Sequence, residues 1–565
     1  MKHKLLYILT ITLTVSMVTG CKKYLDINSD PDTTQTPSNS SVLPQCLSAI
    51  ATGLQSDGGL YVSKYIQNWL TSNSTSTSIL YDQQGYSWSG GTMAATWQMT
   101  YYALGNNLNY MIEHGIDQES YEFVGVAYAL KAWSFQHTTD YNSDIIFSEA
   151  FTKDQFTFAY DTQETVYKGV DSLCRVALQY FDKISDPVLA TSKLSVGDLV
   201  YGGDISKWKK FVYGILARNW HHLSNKNWYN ADSVMKYCDN AMASVNDDFD
   251  IPFDATNNNN SNYFGTFRDN ATTWRPGNFV VKLLDGTILS GSNAPANRDP
   301  RLSYLLTASQ DTTNGNGGYR GIDIAQGDPN ISLTATYTVG SANWINARKR
   351  VSVFWGDSLY TNPSAAVFNN STGKYLFHNK AVFPVMTYAE MQFIKAEASL
   401  RKKDNKALAY NAYLNGVNAH FDFINRSYSP VRSSVNLYNG SSISSAARSK
   451  YLTGPNVPQS AAALTISDVM LQKYIALWGW GFFETWVDLR RFHYIDMDDI
   501  TGSAQQVYRG FILPQPFYSS NGGKPVYRVR PHFTSEYTYN YEELKRLGVL
   551  TQDYHTKEMW FSQKQ

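Results

Sequence analysis

Apolar positions recur every three to four residues over most of this chain, which is the period of an amphipathic helix. Between 93 and 113 they fall at Trp97, Tyr101, Leu104, Leu108 and Met111, and over 119–139 at Phe123, Val126, Ala127, Leu130 and Trp133. Asp161, with Glu164 three residues on, reads as the N-cap of a helix that places Val166, Val170, Leu173, Ala177, Leu178 and Phe181 on one face. The same spacing predicts helices over 206–224 and 232–245 and, after a gap, over 388–402, 405–424 and 466–479. Thr387 and Glu390 form a capping box before the first of these last three, and Lys403-Asp404-Asn405 is a turn. Antiparallel helix pairs with short turns predict a mainly α, tetratricopeptide-like scaffold without the strict repeat signature. Residues 246–385 break the period with Asn257 to Asn260, Gly315, Gly317, Gly318 and Gly321. A stretch this long inside a compact protein carries function or is disordered, and the interleaved Trp274, Tyr319, Trp344 and Trp355 favour order. The loop-rich tail over 500–565 ends in an apolar cluster at Met559, Trp560 and Phe561.

One apolar run follows no such period. Lys2 and Lys4 precede Leu5 to Val18, a stretch too short to span a bilayer, which needs about 20 residues. It ends at Val18-Thr19-Gly20-Cys21, small residues before a cysteine. This is the pattern of a lipoprotein signal, with 1–20 removed and Cys21 carrying lipid such as palmitate. Acyl chains contribute ~0.8 kcal/mol per buried CH₂, so several of them anchor without a membrane-spanning helix. Residues 21–42 are the lipidated cysteine and a polar tether with Pro31 and Pro37. Asp26, Asn28 and Asp30 alternate like a calcium loop, but those prolines stand where the loop needs glycine and glutamate. Residues 43–565 read as a single helical domain with a loop-rich insertion at about 246–385.

Composition narrows the function. Lys+Arg and Asp+Glu balance at 48 each, which gives no electrostatic case for nucleic acid. Charged residues make up 17% and aromatics 14%, with 40 Tyr and 14 Trp. Tyr and Trp offer a flat apolar face with a polar edge, which suits neutral, hydroxyl-rich ligands such as sugars. Catalytic motifs are missing. Gly85 to Ser89 lacks the final glycine of a nucleophile elbow, no phosphate loop or dinucleotide fingerprint is present, and His221-His222 are adjacent where a zinc helix needs separated histidines. No cofactor or metal is expected. The acidic runs Asp247-Asp248 to Asp254 and Asp496 to Asp499 read as solvated turns. Cys46, Cys174 and Cys238 are spaced for neither a metal knuckle nor a disulfide framework; core packing or one disulfide both fit.

Several segments resemble the SusD/RagB family of outer-membrane nutrient-binding lipoproteins, in its SusD-like branch. They begin with Cys21-Lys22-Lys23-Tyr24-Leu25-Asp26-Ile27-Asn28, then Trp97-Gln98-Met99-Thr100-Tyr101 with Asn106-Asn107. Tyr141 to Ala150 is similar to a turn segment of the family but lacks its glycine and proline. Asp198 to Phe211, Arg298-Asp299-Pro300-Arg301-Leu302, Met386 to Ala398, Gln472 to Trp478 and Glu484 to Arg491 complete the set. By their residue types most of these motifs are fold: Glu390 caps its helix, and Glu484, Asp488, Arg490 and Arg491 suit a buried ion-pair network.

The resemblance implies a SusD-like helical scaffold with long irregular ligand-binding loops and a non-catalytic function. Family members capture a glycan, less often a peptide, at the cell surface and pass it to a SusC-like TonB-dependent transporter in the outer membrane. A peptide-capturing lid and a glycoside hydrolase are the alternatives, the second supported only by generic acids. Ligand loops do not carry over by motif, so the site expectation rests on chemistry. Trp88, flanked by serine and glycine, is the leading stacking platform, with Tyr86 and Asp82 beside it in the loop before Trp97. Trp274, Tyr319, Trp344 and Trp355 in the insertion are further platforms, with Arg320 and Asn343 as polar partners. Trp97, Trp133, Trp208 and Trp486 are expected in the core.

Overall fold

A computed structural model describes residues 36–75, 77, 79–87, 91–311, 316–333, 338–355, 375–426 and 442–565. Cys21, the signal segment and Trp88 lie outside the described residues. The first helix among the described residues, α1 (Asn39–Gly53), starts inside the expected tether, and Asn39 and Val42 are already buried. A π-helix (Leu54–Val62) follows, and a second one (Met99–Leu104) leads into α2 (Gly105–Asp117). Then come α3 (Tyr121–Asn142), α4 (Gln163–Asp182), α5 (Ile205–His221) and α6 (Ala231–Asn240). The later scaffold is α7 (Tyr388–Arg401), α8 (Lys406–Arg426), α9 (Ile466–Leu477) and α10 (Phe482–Arg491). From α2 to α8 each helix packs on the next, and α9 packs on α7 and α8.

The expected helix faces are those that are buried. On α4, Val166, Val170, Cys174, Ala177 and Phe181 point inward. Its cap, however, is Thr162, whose side chain accepts from Thr165 N. Asp161 instead accepts from the backbone N–H groups of Phe147 and Ser148, at 3.0 and 2.7 Å. α3 is buried on nearly every side, so its polar residues need internal partners. Asn142 donates to the carbonyls of Val529 and Arg530, and Gln136 to that of Ile215.

The insertion is tied down at both ends. Its first strand, Phe249–Ile251, pairs antiparallel with Phe383–Met386 at its close, and Trp274–Pro276 pairs with Trp69–Thr71. An aromatic core around Trp69 joins the insertion to the helical scaffold. Trp274 stacks on Trp69 at 5.6 Å, and Phe264, Phe354, Phe377, Trp478 and Phe482 surround the same indole. Cys46, Cys174 and Cys238 are free and buried, so no disulfide links them.

The buried charges join α3, α5, α7 and α10. Arg218 forks onto Glu390 with two bonds of 2.6 Å, so the Glu390 carboxylate serves this pair; Thr387 alone caps α7. Arg491 forks onto Glu397 and also reaches Asp488, which takes Lys473. Arg490 instead donates to the carbonyls of Asp140, Trp486 and Tyr527 and lies over the Trp486 ring. Asp247 and Asp248 are buried as well, paired with Lys210 and Arg426, which corrects their reading as solvated turns. Taking one ionic partner out of water is compensated only by full pairing, which each of these acids has.

His222 sits between Asp140 and Glu484, with Nδ1 3.1 Å from one carboxylate and Nε2 3.0 Å from the other. These three groups lie close enough to hold a metal ion. The doubly protonated imidazole already supplies the cation, since each ring nitrogen faces a carboxylate oxygen. Burial alone would lower its pKa, but the flanking acids outweigh burial and raise it to about 9. A raised folded-state pKa contributes stability that is complete below the unfolded value of 6.5 and is lost as pH rises through about 9. The unfolding free energy should therefore decline between these two pH values by about 3 kcal/mol from this group, read by urea titration. A flat profile through that window would contradict the charged assignment.

Candidate functional site: an aromatic cleft beside the second π-helix

The described surface carries a cleft of about 790 Å³, within the range of ~300–1,000 Å³ usual for small-molecule sites. Trp97, Tyr101, Tyr102 and Phe151 supply its rings, with Phe158 at one side. Gln98, Asn106, Thr152, Lys153, His532 and Ser535 place polar groups around them, and Glu536 lies below.

The π-helix makes this arrangement possible. Its wider turn inserts one residue into the helical phase, a feature common at functional sites. Trp97 is held on the inner side with its ring 4.5 Å from that of Tyr101. The Tyr101 hydroxyl donates to the carbonyl of Ile146 at 2.5 Å, and burial, with Glu536 and Asp161, holds its pKa well above the usual value. Tyr102 faces outward and is 86% exposed. The start of this helix is fixed from below by Asp57 of the first π-helix, which accepts from Thr96 N at 2.9 Å.

The opposite wall is the loop after α3. Asp161 holds its start through Phe147 and Ser148, and Glu149 holds its end by accepting from Ala159 N at 2.8 Å. Phe151 has φ of +69°, a region where a bulky residue costs roughly 1–3 kcal/mol and persists only when its surroundings impose it. Here Phe151 lies against Gly105, the first residue of α2, where a Cβ would overlap its ring. Gly105→Ala should therefore push the Phe151 ring into the cleft, weakening ligand binding about tenfold and lowering stability by about 1 kcal/mol or less, because the ring has solvent to move into. Titration calorimetry beside a thermal melt checks this; equal binding by the variant would refute the wedge.

Glu536 is raised above the ordinary carboxylate range, mainly by burial, and accepts from Tyr160 and Asn540 at 2.8 and 3.0 Å. Among the described residues lining the cleft it is the single carboxylate, whereas glycoside hydrolysis takes a facing pair.

Among the described residues, those expected from sequence do not form one platform. Asp82 is fully buried and accepts from Thr71 N and Oγ1, near Lys64. Tyr86 is buried and stacked on His555 at 5.5 Å. Trp274 and Trp355 are interior, the first against Trp69. Tyr319 is half-buried beside Arg298 and Ser303, and Arg320 is half-buried with Asp311. Trp344 is half-buried beneath Arg348 at 4.5 Å, and its neighbour Asn343 is exposed. Trp133, Trp208 and Trp486 are core residues as expected; Trp97 is nearly buried too, but one side of it lines the cleft. The missed residue is Tyr102. Adjacent residues on a helix point about 100° apart, so the pair Tyr101-Tyr102 in the sequence was the available hint that one ring could face outward while the other packs inward.

A family model described as SusD-like, starch-binding associating with outer membrane, matches residues 31–514. The chain belongs to the SusD-like family. A search of curated proteins gives no match. Solved structures share the fold over nearly the whole chain. A Bacteroidetes SusD-like protein superposes with a TM-score of 0.66 at 18% identity, covering 94% of this chain and 100% of its own. A SusD homologue from Bacteroides fragilis gives 0.64 at 19% identity, with 93% and 100% covered. A chitin-binding SusD homologue from Flavobacterium johnsoniae gives 0.60 at 16%, with 93% and 99% covered. At these identities the likeness carries the SusD-like helical fold. Among the described residues no helix is long and apolar enough to cross a membrane.

Proposed function

We propose that this protein is a non-catalytic glycan-binding lipoprotein that captures oligosaccharide or polysaccharide at the cell surface and delivers it to a SusC-like TonB-dependent transporter. The cleft carries the reading: exposed and half-exposed rings stand beside neutral hydrogen-bonding groups in a space of ligand size. Sugar rings stack their C–H faces on such aromatics, and their hydroxyls pair with amides and hydroxyls. The family description and the chitin-binding name of one structural relative support a carbohydrate ligand. The residues from 1 to 21 support a lipid anchor at Cys21, which would hold the protein at the outer membrane and raise its effective concentration near the transporter.

The test is titration calorimetry of the purified protein against soluble oligosaccharides and a peptide digest, with chromatography of the mixture afterwards. Micromolar or weaker binding of an oligosaccharide without new products is the expected result. Binding of peptides alone would replace the ligand class, and turnover of a glycan would overturn the non-catalytic reading.

A further inference from the structure

The cleft does not end at its lining residues. Ser535 and Glu536 enter it from a short helix, Phe533–Tyr539, capped by the His532 side chain. Tyr539 is four residues after Ser535 and three after Glu536. It therefore lies on the same helix face, about one turn or roughly 5 Å further along. It is 65% exposed.

The next residue fixes this helix end to the cleft wall. Asn540 Oδ1 accepts from Phe158 N at 2.9 Å, and Asn540 Nδ2 donates to Phe158 O at 3.0 Å. The same amide reaches Glu536. Phe158 lines the cleft, and two residues before it Phe156 is 79% exposed. Single exposed rings are ordinary on a protein surface. Here Tyr102, Phe156 and Tyr539 are all exposed on segments that line one cleft, and two of those segments are hydrogen-bonded to each other.

Resting on the reading of the cleft as a glycan site, we infer that Tyr539, together with Phe156, forms a second stacking subsite beyond it. The ligand class is then a carbohydrate chain longer than the cleft. Its first rings stack on Tyr102 and Trp97, and later rings continue past Ser535 along the 533–539 helix to Tyr539. A mono- or disaccharide would occupy the cleft and leave Tyr539 untouched.

The experiment uses a glycan array of short and long members of the α-glucan, chitin, xylan, mannan and fructan series, followed by calorimetry on the series that binds. Tyr539→Ala should lower affinity for the long member about fivefold and leave the short member unchanged, with the melting temperature preserved. Tyr539→Phe should keep the affinity, because the ring and not the hydroxyl stacks. Tyr102→Ala should weaken both lengths. If Tyr102→Ala weakens binding but Tyr539→Ala changes neither length, or both equally, the second subsite is overturned and the cleft stands. If no series binds, or Tyr102→Ala has no effect, the cleft reading itself falls and takes this inference with it.

Discussion

Glu397→Gln is expected to remove about 3–5 kcal/mol of folding stability, read as a fall in the urea midpoint at neutral pH. Glu397 is fully buried in α7 and accepts from both terminal nitrogens of Arg491, at 2.7 and 2.9 Å. It also takes Arg401 Nε at 2.9 Å and faces His221 Nε2 at 2.9 Å. Burial would push its carboxyl up, but Arg491, His221 and Arg401 outweigh this and hold it well below the usual carboxylate range. Glutamine keeps the volume, so no cavity forms; the loss measures the removed charge together with one accepting oxygen replaced by an NH₂ group that faces the Arg491 donors. What remains is a buried Arg491 with Asp488 as its ionic partner and an under-compensated cationic centre between α5, α7 and α10. Removing one member of a buried group is far more costly than removing an exposed ion pair, for which the loss is ~0–1 kcal/mol. An unchanged midpoint would mean that the network contributes nothing net to stability.

The second large effect is on binding. Tyr102→Ala should reduce affinity for an oligosaccharide by about tenfold or more, equivalent to ~1.4 kcal/mol, with the melting temperature unchanged. The side chain is 86% exposed, so its removal opens no cavity and costs the fold little. Trp97→Ala would also weaken binding, but that ring is nearly buried and its loss would destabilise the protein at the same time. Tyr102 thus separates the site from the fold. Full affinity in Tyr102→Ala, measured by calorimetry on a glycan that binds the unaltered protein, would move the site elsewhere.

The scaffold was legible because a helix buries one stripe, and the stripe repeats in the sequence. Val166, Val170, Ala177 and Phe181 were assigned to a buried face by spacing and lie there. The charges beside Trp486 were legible for a different reason: Arg and Glu among large apolar residues have no stable state except paired. The site was less legible. Trp274 and Trp355 looked like exposed platforms because their local sequence is polar and irregular. Trp274 packs in space on Phe264 and on Trp69, the second far away in the chain, and burial depends on such neighbours. Asp82 likewise sits in a polar loop, but it accepts from Thr71 and is sealed inside. In the other direction, Trp97 and Tyr101 fit the helical stripe and still line the cleft, since the π-helix changes the phase that the stripe assumes.

Sequence alone determined the helical class, the break in helical period between 246 and 385, the lack of familiar catalytic motifs and the resemblance to SusD-like proteins, and it supplied the residues on which a lipid anchor at Cys21 is proposed. The helical class follows from periodicities of a few residues, and the motifs and the resemblance are read from short runs of named residues, all of which are local. The tertiary structure decided which aromatics are wet. It brought residues 97–106, 146–158 and 532–536 to one cleft, set Phe151 at positive φ against Gly105, and drew the insertion's indoles into the core. The physical reason is that exposure of a ring is a property of everything packed around it, and most of that is distant in sequence.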